Sequence, residues 1–163
     1  AVIAFDVTSS LPAGAKVTSA TLTMHMSKSQ SGGTAIRLHR VAADWGEGKS
    51  KGAGEQGGGA AAAPGDATWI HRFFDSQKWA KAGADFAGTE SASVVVSLVG
   101  AYTWSSTDQL VADVQVWVDD PTKNFGWILI GDEANTQTTK RFDSREAADA
   151  SLRPLLTIEF VAP

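Results

Sequence analysis

Tryptophans are the residues of this sequence whose type and placement best suit contact with a ligand. The chain has six tryptophans and one tyrosine, and a flat indole ring can stack on the apolar C–H face of a sugar. Four tryptophans lie in or beside predicted loops, where binding residues concentrate. These four are Trp45, Trp69, Trp79 and Trp104. They suggest a glycan-binding surface, with core packing as the alternative for each ring.

Three histidines offer a second possible chemistry, since imidazole is a common ligand of transition metals. His25 and His39 lie on the polar faces of two strands predicted to form a hairpin, and His71 follows a glycine-rich segment. His39 and His71 form the best candidate pair. No HxH or HxxxH spacing supports a metal site, so hydrogen-bonded or solvated histidines remain the alternative.

Acidic side chains in predicted loops could hold a structural calcium, which takes six to eight oxygen ligands. No EF-hand-like spacing defines a ligand set among them. Paired carboxylates also hydrolyse glycosides, but only at a defined separation across a cleft. The sequence has neither a nucleophile elbow nor a phosphate loop, so we expect a non-catalytic protein. The loop carboxylates are Asp44, Glu47, Asp66, Asp75, Asp85, Asp132 and Glu133.

The charge balance limits the class of partner. Lys and Arg total 14 and Asp and Glu total 18, a net charge of -4, which argues against nucleic acid. A local group of Arg141, Arg145 and Arg153 beside Glu146 could bind anionic sugars through paired hydrogen bonds. The alternative is an Arg–Glu network that holds the strands together.

The hydrophobic pattern predicts an all-β protein with one short helix. Apolar and polar residues alternate over residues 17–26, 34–41 and 154–160, which is typical of half-buried strands, and residues 94–99 read as a buried strand. Residues 108–119 have the apolar periodicity of a helix, which ends before Pro121 and has Trp117 on its apolar stripe. Trp127 lies in a predicted buried strand. Residues 46–65 hold eight of the 16 glycines and predict a long Gly/Ala-rich loop. No apolar run is long enough to span a membrane.

The order of several short motifs resembles the DNRLRE domain family of secreted and surface proteins. The N-terminal matches are Ala4-Phe5-Asp6, Pro12 to Leu22, His39-Arg40-Val41 and Asp44 to Gly48. The central matches are Asp66 to Trp69 and Trp79 to Phe86. The C-terminal matches are Asn124 to Trp127, Arg141 to Glu146 and Arg153 to Leu156.

This resemblance implies a jelly-roll-like β-sandwich related to carbohydrate-binding modules. It also implies a location that is secreted, extracellular or at the cell surface. The family usually has a further strand or two before Phe5. We therefore expect one domain over residues 1–163 that lacks its first strands, or that another chain completes by strand addition.

Together these features predict a non-catalytic carbohydrate-binding or surface-attachment module. Its partner would be a polysaccharide or a cell-surface glycan, stacked on the four loop tryptophans and oriented by Glu47 and Arg72. One alternative is a structural subunit of an extracellular fibre or surface assembly, paired with copies of itself or part of a larger parent protein. The other is a small metal-binding protein using His39 and His71. The possible cofactors are a structural calcium or a histidine-bound transition metal.

Overall fold

The computed structural model describes residues 1–50 and 59–163, which form ten strands and one α-helix. The helix α1 spans Asp108–Asp119, as the periodicity predicts. The predicted loop at 46–65 has no strand in its described residues, and residues 51–58 lie outside the described part. The strands are β1 (Val2–Ile3), β2 (Lys16–Ser29), β3 (Thr34–Val41), β4 (His71–Phe73), β5 (Gln77–Lys78), β6 (Phe86–Val96), β7 (Gly100–Trp104), β8 (Trp127–Ile130), β9 (Lys140–Phe142) and β10 (Leu155–Val161).

The described residues divide into two compact units. Residues 1–40 and 88–163 form what we call the sandwich unit, and residues 41–87 form the inserted unit. Within the inserted unit, the Ala42 amide donates to the Asp85 carbonyl at 2.8 Å. This bond joins the two ends of the insertion.

Two four-stranded sheets build the sandwich unit. One has the order β1-β8-β3-β6, in which β8 pairs antiparallel with both β1 and β3. The other has the order β10-β2-β7, with β9 also pairing with β2. In this second sheet Leu22 of β2 lies opposite Trp104 on one side and Leu156 on the other. The predicted all-β sandwich with one short helix is thus confirmed.

The alternation of β2 and β3 places their apolar residues in the core between the sheets. Leu22 and Met26 of β2 and Leu38 of β3 are completely buried. They join one apolar cluster with α1 and β8. Trp117 and Trp127 are also fully buried, with ring centroids 4.4 Å apart. The prediction that these two tryptophans belong to the core is confirmed.

The prediction of a strand over residues 94–99 is confirmed only as far as Val96, and the prediction that this run is buried is wrong. β6 ends at Val96, which is buried, and its neighbour Val95 is 63% exposed. Leu98 and Val99 follow the strand and are also exposed. Successive residues of a strand point to opposite faces, so an apolar run in an edge strand buries only some of its members.

Helix α1 begins at a side-chain cap and packs one face against the core. The Thr107 hydroxyl oxygen accepts a hydrogen bond from the Leu110 amide at 3.0 Å, which satisfies a free N–H of the first turn. Leu110, Val114 and Trp117 form the buried face. Within the described residues, no helix is both long and apolar enough to cross a bilayer.

One carboxylate on this buried face ties the helix to three strands. Asp113 is 1% exposed, and its Oδ2 accepts hydrogen bonds from Ser91 Oγ of β6 at 2.5 Å and Trp127 Nε1 of β8 at 2.9 Å. Its Oδ1 accepts one from Gln109 Nε2 at 2.9 Å. Arg40 Nε of β3 lies 3.2 Å from Oδ1, outside hydrogen-bond geometry, and forms an ion pair. A buried charge requires such a set of partners.

We expect Asp113→Ala to destabilise the protein by about 3 kcal/mol, because it leaves the Trp127 N–H and the Arg40 cation without their partner. Urea denaturation of the full chain measures this loss. Asp119→Ala, at an exposed position of the same helix, is the matched control and should change stability by less than about 0.5 kcal/mol. Equal effects of the two substitutions would contradict the role of the Asp113 network.

Candidate functional site

The structure divides the four loop tryptophans by exposure. Trp104 is completely buried, and its Nε1 donates to the Ile36 carbonyl at 2.8 Å. Trp79 is 6% exposed and donates to the Thr68 carbonyl at 2.9 Å. Stacking on a sugar requires an open ring face, so the expectation that these two rings bind glycan is wrong. Trp45 is half-buried, and Trp69 is 63% exposed.

Trp69 is the indole that the inserted unit presents to solvent, and a glycine supports it. A Cβ on Gly83 would lie 2.8 Å from Cη2 of Trp69 and about as close to two other atoms of its six-membered ring. The ring therefore lies on the backbone of Gly83, which also has a φ of +97° that disfavours other residues. One face of the indole is held while the side chain stays largely open.

Hydrogen bonds fix the backbone around this ring. The Gly83 amide donates to the Trp69 carbonyl at 2.7 Å, and the Trp79 amide donates to the Ile70 carbonyl at 3.1 Å. The Thr68 hydroxyl oxygen accepts from the amides of Ile70 and His71. Ile70 is itself 51% exposed. Trp69 and Ile70 together form an exposed apolar tip on a constrained turn, which we call the Trp69 tip.

The segment that carries Gly83 is constrained as well. The Asp85 carboxylate accepts hydrogen bonds from the amides of Ala80 and Lys81, at 2.9 and 3.1 Å. Ala84 has a φ of +94°, a conformation that non-glycine residues rarely adopt. Strained backbone of this kind persists only where the surroundings hold it. The support beneath Trp69 is therefore a fixed turn.

Close backbone contacts anchor the two ends of the glycine-rich segment in the same unit. A Cβ on Gly46 would lie 1.8 Å from the Gly65 carbonyl oxygen, and one on Gly48 would lie 1.6 Å from Oδ1 of Asp66. The Ala67 amide also donates to the Gly46 carbonyl at 2.7 Å. Only glycine permits these approaches, so these two glycines are required for packing rather than for flexibility.

Asp66 acts as the acceptor at this anchor. Its side chain is 5% exposed, and it accepts from the Ala63 amide at 2.7 Å and from the Lys49 and Ser50 amides at 3.0 and 3.4 Å. The hydrogen bond from Ala63, followed by those from Ser50, lowers the pKa of Asp66 below its ordinary value. Hydrogen bonds to the ionised form have this effect.

The other predicted glycan contacts lie in the same unit. Glu47 is exposed. Arg72 donates to the Asp44 carbonyl at 3.3 Å, and its guanidinium carbon lies 5.7 Å from the centroid of the Phe73 ring. That distance allows a cation–π contact. Part of the hydrogen-bonding capacity of the Arg72 guanidinium is therefore used within the inserted unit.

The three histidines lie in three different strands, β2, β3 and β4. His39 lies in β3 of the sandwich unit, whereas His71 lies in β4 of the inserted unit, 3.4 Å from the Thr68 hydroxyl. His25 Nδ1 is 2.7 Å from Oδ2 of Asp143, a pair that the sequence does not reveal. Residues 1–50 and 59–163 contain no group of three or more histidines and carboxylates that could hold a metal ion.

Three of the loop carboxylates and the arginine group have local partners. Asp132 accepts from the amides of Ala134 and Asn135, just as Asp66 and Asp85 accept backbone amides. In the arginine group, Arg145 Nε lies 3.4 Å from the Glu146 carboxylate, Arg141 donates to Ser27 Oγ, and Arg153 donates to the Ala147 carbonyl. These contacts of the three arginines all lie within the sandwich unit.

The lowered pKa of Asp66 predicts a stability difference that depends on pH. Because the folded pKa lies below the unfolded value of about 3.9, the stabilisation is fully present above that value and is lost as pH falls through the folded pKa. We expect Asp66→Asn to be less stable than the wild type near neutral pH, with the difference in stability narrowing as pH falls below the unfolded pKa of about 3.9. Thermal unfolding at each pH measures this difference. An unchanged difference at acidic pH would contradict the prediction.

Comparison with known proteins supplies no relative for the chain. No family model, no curated protein and no solved structure matches it. The resemblance to the DNRLRE family stays a prediction. The functional interpretation therefore depends on the geometry of the Trp69 tip.

Proposed function

We propose that this protein is a non-catalytic carbohydrate-binding module, and that the Trp69 tip is its sugar-stacking surface. The observation that carries the proposal is the exposure of Trp69 on a fixed support. The residue is 63% exposed, and one face of its indole ring lies on the backbone of Gly83. An exposed tryptophan is unusual, since this large apolar side chain is highly buried on average. Its exposure on a fixed support suits a flat apolar ligand surface.

Sugar rings have the complementary chemistry. The C–H groups on one face of a pyranose are apolar and carry slight positive charge, whereas the face of an indole carries the negative lobe of its quadrupole. A preformed platform binds with little loss of conformational entropy. Hydrogen bonds fix the turn around Trp69 on both sides, so the platform is ordered before ligand binds.

The proposal refines the set of residues expected from the sequence. Trp69 provides the stacking ring, and the half-buried Trp45, the exposed Glu47 and Arg72 belong to the same inserted unit. Trp79 supports the site from inside through its bond to the Thr68 carbonyl. Since polysaccharides of cell walls and matrices lie outside cells, a secreted or cell-surface location is part of the proposal, as is membership of the DNRLRE family.

Affinity electrophoresis against soluble polysaccharides tests the proposal. The panel should contain neutral glucans, xylans and mannans together with a uronate polymer. We expect the wild type to be retarded by at least one polysaccharide, and Trp69→Ala to weaken that binding at least tenfold, which corresponds to about 1.4 kcal/mol. Trp69→Phe should retain part of the affinity, since it keeps a smaller ring.

Leu98→Ala is the matched control for folding, and Gly83→Ala tests the support of the Trp69 ring. Leu98→Ala removes a side chain that is 78% exposed in the sandwich unit and should leave binding unchanged. Gly83→Ala keeps Trp69 but introduces a methyl group where the ring lies, so it should weaken binding without unfolding the sandwich unit. A chain that binds none of the polysaccharides, or one whose binding survives Trp69→Ala, would refute the proposal.

A further inference from the structure

Among the strands of residues 1–50 and 59–163, β10 is an edge strand with few of the features that protect an edge. It lies at the end of its sheet, beside β2, and its seven residues contain one charged residue, Glu159, with no lysine or proline. Leu155 and Val161 are each 59% exposed. Natural edge strands are usually blocked by charges, prolines or bulges. The ladder between β10 and β2 has one register shift, between Glu159 and Phe160, and its extra residue, Thr18, lies in β2, so β10 itself is regular. β10 is therefore available to pair with another strand.

The backbone of β10 presents hydrogen-bonding groups along this edge. Ala20 of β2 lies opposite Ile158, and its amide donates to Ser106 Oγ, away from β10. The two residues are thus a non-hydrogen-bonded pair of the antiparallel ladder. Ile158, and with it Leu156 and Phe160 at alternate positions, directs its N–H and C=O toward the open edge. Unpaired backbone groups of this kind recruit a further strand.

An apolar groove runs beside the same edge. It has a volume of about 470 Å³ and lies between residues 5–11 and β10. Its apolar lining includes Phe5 and Leu11 on one side and Leu156, Ile158 and Phe160 on the other. An added strand would therefore find both backbone partners and an apolar surface.

We propose that β10 pairs antiparallel with β10 of a second copy of this chain, about a two-fold axis at Ile158. The sequence Leu155–Val161 is nearly palindromic in its chemistry. This register places Leu155 opposite Val161 of the second copy, Leu156 opposite Phe160, and Ile158 opposite itself. Thr157 lies opposite Glu159, to which its hydroxyl can donate. Such an interface is isologous and closes after two copies.

Other antiparallel registers that keep the core-facing residues of the two β10 strands on one face are less favourable. A shift of two residues in one direction places Glu159 opposite Glu159 of the second copy, and like charges directly opposite are destabilising. A shift of two residues in the other direction places the charged Glu159 opposite the apolar Leu155 of the second copy. A shift of one residue would set core-facing residues against solvent-facing ones. The charge and apolar pattern of β10 thus favours a second copy in this single register.

Sedimentation equilibrium of the full chain, from micromolar to millimolar concentration, tests the pairing. We expect a monomer–dimer equilibrium in the wild type. Leu155→Lys and Val161→Glu should each raise the dimer dissociation constant at least tenfold, since each places a charge against an apolar residue of the partner. Both positions are largely exposed in the single chain, so neither change should unfold it.

The double variant Leu155→Lys/Val161→Glu tests the register. Across the proposed two-fold axis it places an ammonium opposite a carboxylate, so it should restore most of the dimerisation that either single change removes. Leu98→Lys, an exposed position outside β10, is the control and should leave the dimer intact. A wild type that stays monomeric at all concentrations, a dimer insensitive to Leu155→Lys, or a double variant no better than the single ones would overturn the proposal. None of these outcomes depends on glycan binding.

Discussion

The Asp113 carboxylate is the constraint on which the sandwich unit depends. It lies on the buried face of α1 and receives contacts from β3, β6 and β8. A buried charge is unfavourable unless its partners keep their positions. The network therefore specifies where the helix lies against one sheet, while Leu110, Val114 and Trp117 supply the apolar contact. With the helix positioned, the tryptophans of the sandwich unit are all enclosed, and this unit is a scaffold with no exposed indole.

The inserted unit follows a different physical principle. Its described residues have short strands, and close approaches of backbone to backbone and side chain organise it: Gly46 against Gly65, Gly48 against Asp66, and Gly83 beneath Trp69. At Gly83 the absence of a side chain lets the Trp69 ring lie directly on the backbone. The same feature that packs the unit thus produces the candidate ligand surface. The sandwich unit contributes a separate surface, the open edge of β10.

Local sequence patterns predicted the elements, while contacts distant in sequence decided the site. Periodicity gave α1 over its full length, because a helix depends on neighbouring residues. The burial of Trp104 depends on the Ile36 carbonyl in another strand, which no local pattern contains. Gly46 and Gly48 predicted only a loop, because their packing partners, Gly65 and Asp66, lie at the other end of the glycine-rich segment. Asp113 could have been noticed, since an aspartate within an apolar helical stripe implies a buried partner. Trp69 was among the candidates, but only its exposure separated it from Trp79.

We propose that a sugar ring stacks on the free face of Trp69. Proton NMR of a bound oligosaccharide, taken from whichever polysaccharide the chain retains, tests this most directly. Ring currents of an indole shift the C–H protons of a stacked sugar upfield. We expect such shifts with the wild type and with Leu98→Ala, and their loss with Trp69→Ala. Upfield shifts of the same size with Trp69→Ala would contradict it.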